Sequence, residues 1–109
     1  MTRVGDVCDL VRSKNAGPFW ITIDLFFDGP DMFARHARSS GLNAGAIARL
    51  YDVNAAQVRH FLVESLALLK ISFPRRMPQG GIEERDLHGG QQFVRLIGVE
   101  LDDVNAWPH

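Results

Sequence analysis

The 109-residue sequence holds one cysteine, Cys8. One cysteine excludes an intrachain disulfide and a cysteine-based zinc site, and a lone thiol suits a reducing compartment. An apolar leader is missing as well: Met1-Thr2-Arg3-Val4-Gly5-Asp6 has no signal-peptide h-region. No apolar run approaches the ~20 residues that cross a bilayer as a helix. Charge of one sign is not in excess, with a formal net charge of −1 and only Arg75-Arg76 adjacent among the basic residues. That balance argues against nucleic acid as a partner, since its binders usually show a basic face. Spacings such as HxH, HExxH and GxxxxGKS/T are also absent, so neither a metal site nor a P-loop is expected. The expectation is a soluble cytoplasmic protein with no metal, nucleic-acid or membrane partner.

What is present is enough apolar sequence, 46% against 23% charged, for one small domain with one core. Residues 1–109 read as that single domain, with 102–109 as a tail. Asp6 caps a short helix that puts Val7, Leu10 and Val11 on one face. Gly17-Pro18 breaks the chain. Phe19 to Phe27 reads as a strand, because Ile21, Ile23 and Leu25 alternate with Thr22 and Asp24. Asp28-Gly29-Pro30-Asp31 starts a helix that runs to about Ser40, with Met32, Phe33, His36 and Ala37 facing inward. Asn43 caps a second helix through Tyr51, burying Ile47, Leu50 and Tyr51. Val58 to Val63 and Leu66 to Phe73 read as strands joined at Glu64-Ser65, on their β-branched and aromatic content. Phe93 to Leu101 reads as the last strand. The fold class that follows is α+β, with about four mainly antiparallel strands and helices packed on one face. Phe26, Leu68 and Trp20 fall outside the inward pattern and supply a second apolar surface.

Two polar blocks interrupt this pattern. In Arg12-Ser13-Lys14-Asn15-Ala16-Gly17-Pro18, the structural reading is a helix stop, with Asn15 or Gly17 at positive φ. The functional reading is an anion pocket. Lys14 supplies charge, Ser13 and Asn15 supply donors, and Gly17 allows close backbone approach. The second block is Asp86-Leu87-His88-Gly89-Gly90-Gln91-Gln92, at the end of a long Gly- and Pro-rich loop from Pro74. It reads either as a simple glycine turn or as a polar site. In the site reading His88 is an acid or base near neutral pH, Asp86 orients it or binds a cation, and Gln91 or Gln92 hydrogen-bonds a carbonyl. His36 and His60 sit in apolar patterns and read as structural. Cys8 reads as a buried structural thiol, and Asp28 as a cap.

The run Arg12 to Phe19, the Thr-Ile-Asp-Leu strand with Phe27-Asp28, the Pro74-Arg75 segment and the Asp86–Gln92 block together resemble a small uncharacterised bacterial family. Its members are similar to the C-terminal domain of acyclic-terpene-utilisation (AtuA-like) proteins, and some are separate small proteins encoded beside a large one. The chain departs from the pattern at Gly90, where alanine is usual, and at Phe93, where histidine is frequent.

The resemblance implies a ferredoxin-like domain that works with a larger AtuA-like subunit on acyl-CoA or branched carboxylic-acid chemistry. The expected function is the small subunit of a two-component lyase, of hydro-lyase type, acting on a carboxylic acid or acyl-CoA thioester. His88 and Asp86 are then catalytic, and Ser13, Lys14, Asn15, Gly17, Gln91 and Gln92 bind an anionic small molecule. No cofactor can be named from the sequence. The rivals are a non-catalytic interaction or regulatory module for the larger subunit, and a stand-alone homo-oligomer.

Overall fold

A computed structural model describes residues 2–17, 19–74 and 94–102. The Asp86–Gln92 block and residues 103–109 therefore lie outside the described residues, and with them His88, Asp86, Gln91 and Gln92. The elements are α1 (Val4–Val7), β1 (Cys8–Asn15), β2 (Trp20–Phe27), α2 (Pro30–His36), α3 (Ala44–Tyr51), β3 (Arg59–Val63), β4 (Leu68–Pro74) and α4 (Val94–Ile97). The strands form one antiparallel sheet in the order β1-β2-β4-β3. Two hairpins thus lie side by side, with β2 and β4 central and β1 and β3 at the edges. Leaving aside the one-turn α1 and counting α2 and α3 as one helical connection, the chain order hairpin–helices–hairpin–helix is a circular shift of the β-α-β-β-α-β order of a ferredoxin-like unit.

Alternation along the central strands sorts their side chains. Ile21, Ile23, Leu25 and Phe27 of β2 join Leu69, Ile71 and Phe73 of β4 in one hydrophobic cluster with Val4, Phe33, Ile47, Tyr51 and Leu96 of the helices. Two ring contacts pin the helices to the sheet. Tyr51 stacks on Phe73 with centroids 4.5 Å apart, and Phe33 meets Phe27 edge-on at 5.9 Å. The α+β class with helices on one face of a four-stranded sheet is what the alternation predicts. The β2, β3 and β4 expectations also hold, with a short 3-10 turn at Glu64–Leu66 joining the last two.

Four local expectations are corrected. Val7 to Val11 is not one helix: α1 ends at Val7 and Cys8–Asn15 is a strand. The i, i+4 spacing of Val7 and Val11 fits both periods over so short a run, and Leu10 at i+3 fits the helical one alone. Pairing with β2 decides it, and Leu10 is left 48% exposed on the far face. Next, α2 stops at His36, and a separate 3-10 turn, Ser40–Leu42, is capped by Ser39. Gly29, with φ +97°, is the N-cap of α2 rather than Asp28; a side chain there would be strained. Finally, Val94–Ile97 is helical where a strand was expected. Leu96 is the residue it buries, while Val94 and Ile97 stay exposed. Arg95 lies over the Tyr51 ring at 5.7 Å.

The segment after α4 is strapped across the α2–α3 turn. The Asp102 N–H donates to Ser39 Oγ at 2.7 Å, His36 Nδ1 donates to the Asp102 carbonyl at 3.0 Å, and Ser40 Oγ donates to the Asp102 carboxylate. His36 is thus a buried structural histidine, and its carbonyl acceptor fixes the proton on Nδ1. Gly41 lets the strap approach, because a Cβ there would collide with the Glu100 carbonyl oxygen. Gly41→Ala should therefore cost about 1–3 kcal/mol through overpacking. Gly45→Ala, in α3, meets nothing closer than 3.6 Å and should be neutral or stabilising by up to about 1 kcal/mol. Urea denaturation of the two variants checks the pair; equal effects would remove the strap's steric role.

Candidate functional site on the open face of the sheet

The face of the sheet away from the helices carries the other half of each strand's alternation. Strand register aligns its side chains in rows. Lys14, Thr22, Ser72 and Arg59 form one row. Arg12, Asp24, Lys70 and Phe61 form the next, and Leu10, Phe26, Leu68 and Val63 the third. Trp20 and Pro74 pair beyond the first row. The expected second apolar surface of Trp20, Phe26 and Leu68 lies on this face, interleaved with cations.

Asp24 is the centre of the arrangement. Its side chain is only 1% exposed although it lies on the open side of the sheet. Long neighbouring side chains lie over it. Arg12 Nε donates to Asp24 Oδ2 at 3.1 Å, and Lys70 Nζ stands 3.6 Å from Oδ1. Oδ1 is buried and has no hydrogen-bond partner. The Arg12 guanidinium lies 5.2 Å from the Phe26 ring centre, and Arg59 lies at the same distance from Trp20. These contacts hold the planar cations against the sheet while their outer edges remain open. The Thr22 and Ser72 hydroxyls meet at 2.9 Å between Lys14 and Arg59.

The face therefore sets four cations, Arg12, Lys14, Arg59 and Lys70, around one buried carboxylate. Lys14 and Lys70 are the only two lysines of the sequence, and both lie here. A chain whose formal net charge is −1 thus keeps a local cationic face. The middle and upper rows offer guanidinium, ammonium and hydroxyl donors suited to an oxyanion. The third row, with Leu10 at 48% exposure, and Phe61 at the end of the middle row, at 51%, offer apolar contact.

The sequence profile of a domain of unknown function, DUF4387, matches residues 4–100. The chain belongs to the DUF4387 family. No curated protein and no solved structure matches it. The matched span contains every residue of the open face and, Leu101 apart, of the core.

Within this DUF4387 chain the expected anion pocket is taken apart. Ser13 and Asn15 pair with Ile23 and Ile21, so they share the core-facing side, and Ser13 is buried. Lys14 faces the opposite way, toward Thr22. Gly17, with φ +86°, turns the β1–β2 connection, and its Cβ position is open. Of the first polar block, Arg12 and Lys14 reach one common site. Thr22, Asp24, Arg59, Lys70 and Ser72 were not among the expected site residues. Their signal was the period-2 alternation with Ile21, Ile23, Leu69 and Ile71, which also places Lys14 with them once Cys8–Asn15 is a strand.

The remaining chemistry-bearing groups read as structural. His60 Nε2 donates to the Leu42 carbonyl at 2.6 Å. Burial pushes the Cys8 thiol up to about 12, with Asp28 and Asp9 adding to the shift. It is therefore protonated, and a poor nucleophile, at neutral pH. The Asp28 carboxyl is raised by its hydrogen bond with Asp9. Among the described residues no group of three or more His, Cys, Asp or Glu side chains could hold a metal ion. No helix there is long and apolar enough to cross a membrane.

If Asp24 anchors Arg12, the two must be coupled. Arg12 is half exposed, so the coupling is discounted for solvent screening to about 1–2 kcal/mol. A double-mutant cycle with Arg12→Ala and Asp24→Asn, read by urea denaturation, measures it. Additive effects would mean that the carboxylate does not organise the face.

Proposed function

We propose that this chain is the small subunit of a two-component enzyme, and that its open sheet face recognises an anionic group at the joint interface. The supporting observation is the arrangement of Arg12, Lys14, Arg59 and Lys70 around buried Asp24, on a sheet face against which no described helix packs. Cations interleaved with exposed aromatic surface suit a partner surface that brings an oxyanion. The partner in this reading is a larger AtuA-like protein, as the sequence resemblance implies, and the setting is cytoplasmic. The substrate class is a carboxylic acid or acyl thioester, whose carboxylate or phosphates meet the cations. The reaction class is that of a lyase of hydro-lyase type. In the same reading His88 is the acid or base and Asp86 orients it.

A second reading, a non-catalytic module that stabilises or regulates the larger subunit, draws on a specific observation. Lys14 and its neighbours lie on an open surface rather than in an enclosed pocket, which suits a protein contact at least as well as a small ligand.

One experiment separates the two. The chain is co-purified with its large neighbour, and turnover of candidate acyl substrates is measured for the complex. The proposal expects Lys14→Glu to weaken assembly or raise KM at least tenfold, and His88→Ala to lower kcat without dissociating the complex. Assembly lost in Lys14→Glu with turnover untouched in His88→Ala leaves the non-catalytic module. A complex indifferent to Lys14→Glu removes the open face from both readings.

A further inference from the structure

The two edges of the sheet are protected unequally. β1 carries a register irregularity between Cys8 and Leu10 and the charged side chains of Asp9, Arg12 and Lys14. A bulge and edge charges are devices that discourage strand addition. β3 has neither a bulge nor lysine nor proline. Its five residues pair with β4 in unbroken register from Arg59↔Ser72 to Val63↔Leu68. Its outer edge pairs with no strand among the described residues. It also exposes apolar surface on both faces of the sheet. Phe61 stands on the open face at 51% exposure and Leu62 on the helix side at 37%, with Leu66 at 59% in the turn that follows. A groove of about 300 Å³ opens beside it on the helix side, lined by Ala37, Arg38, Leu42, Ala44, His60 and Leu62 among others.

From this edge we infer a homodimer formed by antiparallel pairing of β3 with β3 of a second copy of the chain, extending the sheet from four strands to eight. Antiparallel pairing about a twofold axis sets the N-terminal end of one β3 against the C-terminal end of the other. The N-terminal end is basic, with Arg59 and His60, and Arg38 lines the adjoining groove. The C-terminal end runs into Glu64. The strand is therefore self-complementary in charge: each copy's Glu64 meets the other's basic end. Phe61 of one copy covers the neighbouring strand on the open face, and the groove beside Leu62 receives the apolar side chains that the added strand presents on the helix side. Backbone hydrogen bonds supply the pairing, and the exposed apolar side chains supply the burial. The open cationic faces of the two copies then lie on one continuous sheet surface. This inference stands on the β3 edge and not on the proposed enzymatic role.

Native mass spectrometry and sedimentation of the isolated full-length chain over a concentration series test it. The expected result is a dimer that dissociates on dilution. Phe61→Lys/Leu62→Lys should shift it to monomer with an unchanged circular dichroism spectrum. Should that variant fold poorly, the charge exchange decides: Arg59→Glu weakens the dimer, and Arg59→Glu with Glu64→Arg restores it. A wild-type chain that stays monomeric overturns the inference, including the case in which a strand of another protein is the true occupant of the edge. A dimer that survives both lysines, or one indifferent to the charge exchange, overturns it equally.

Discussion

The antiparallel pairing of β2 with β4 is the constraint on which everything else depends. Seven residue pairs, from Trp20↔Pro74 to Phe26↔Leu68, fix the register of the two central strands. Alternation then decides the fate of each side chain. Ile21, Ile23, Leu25, Leu69 and Ile71 go to the core, and Thr22, Asp24, Lys70 and Ser72 go to the open face. A slip of one residue would exchange the two sets and bury a carboxylate and an ammonium among leucines, at a cost far beyond the stability of a small domain. The hydrophobic pattern therefore builds the open face as a by-product of building the core. It also brings residues fifty positions apart, such as Thr22 and Ser72, into hydrogen-bond contact.

Burial of Asp24 follows from the same register. A carboxylate in the middle of a sheet is sustained only if cations lie across it, and Arg12 from β1 and Lys70 from β4 are its direct neighbours on either side. The carboxylate in turn holds the Arg12 guanidinium over Phe26 and keeps Lys70 within 3.6 Å of Oδ1. Pre-placed cations lose less side-chain freedom on meeting an anion. The unpartnered Oδ1 means that the carboxylate is incompletely hydrogen-bonded although two cations more than offset its charge. Net charge was a poor guide to this face. Summed over the chain, acids and bases nearly cancel, and only the strand register reveals that they are sorted by surface.

Much of the architecture was legible in the sequence because it rests on clear periods. The Ile21-Thr22-Ile23-Asp24-Leu25 alternation, the Asn43 cap before α3 and the paired apolar runs of β3 and β4 all carry their own physical signals. The elements that misled were short. Val7, Leu10 and Val11 fit a helical stripe better than a strand one, and the seven-pair ladder with β2 overrides that local pattern. Val94–Ile97 has the composition of a strand, but burying Leu96 alone suits a single turn of helix. The first error carried into the site: read as a loop, Ser13, Lys14 and Asn15 share a pocket, whereas on a strand Lys14 parts from the other two. Arg59, Lys70 and Ser72 were overlooked because their significance depends on which strands adjoin. That is long-range information a local pattern does not contain.

If the open face is the surface that a partner covers, the two lysines make this directly readable. Lys14 and Lys70 both lie on that face and the sequence has no others. Reductive methylation of the chain, alone and with the proposed larger partner, followed by mass spectrometry, compares their accessibility, with the N-terminal amine as an internal reference. Both lysines should react in the free chain, Lys14 faster than the Asp24-paired Lys70, and both should be protected in a complex. A stable complex in which Lys14 and Lys70 react as fast as in the free chain would contradict it.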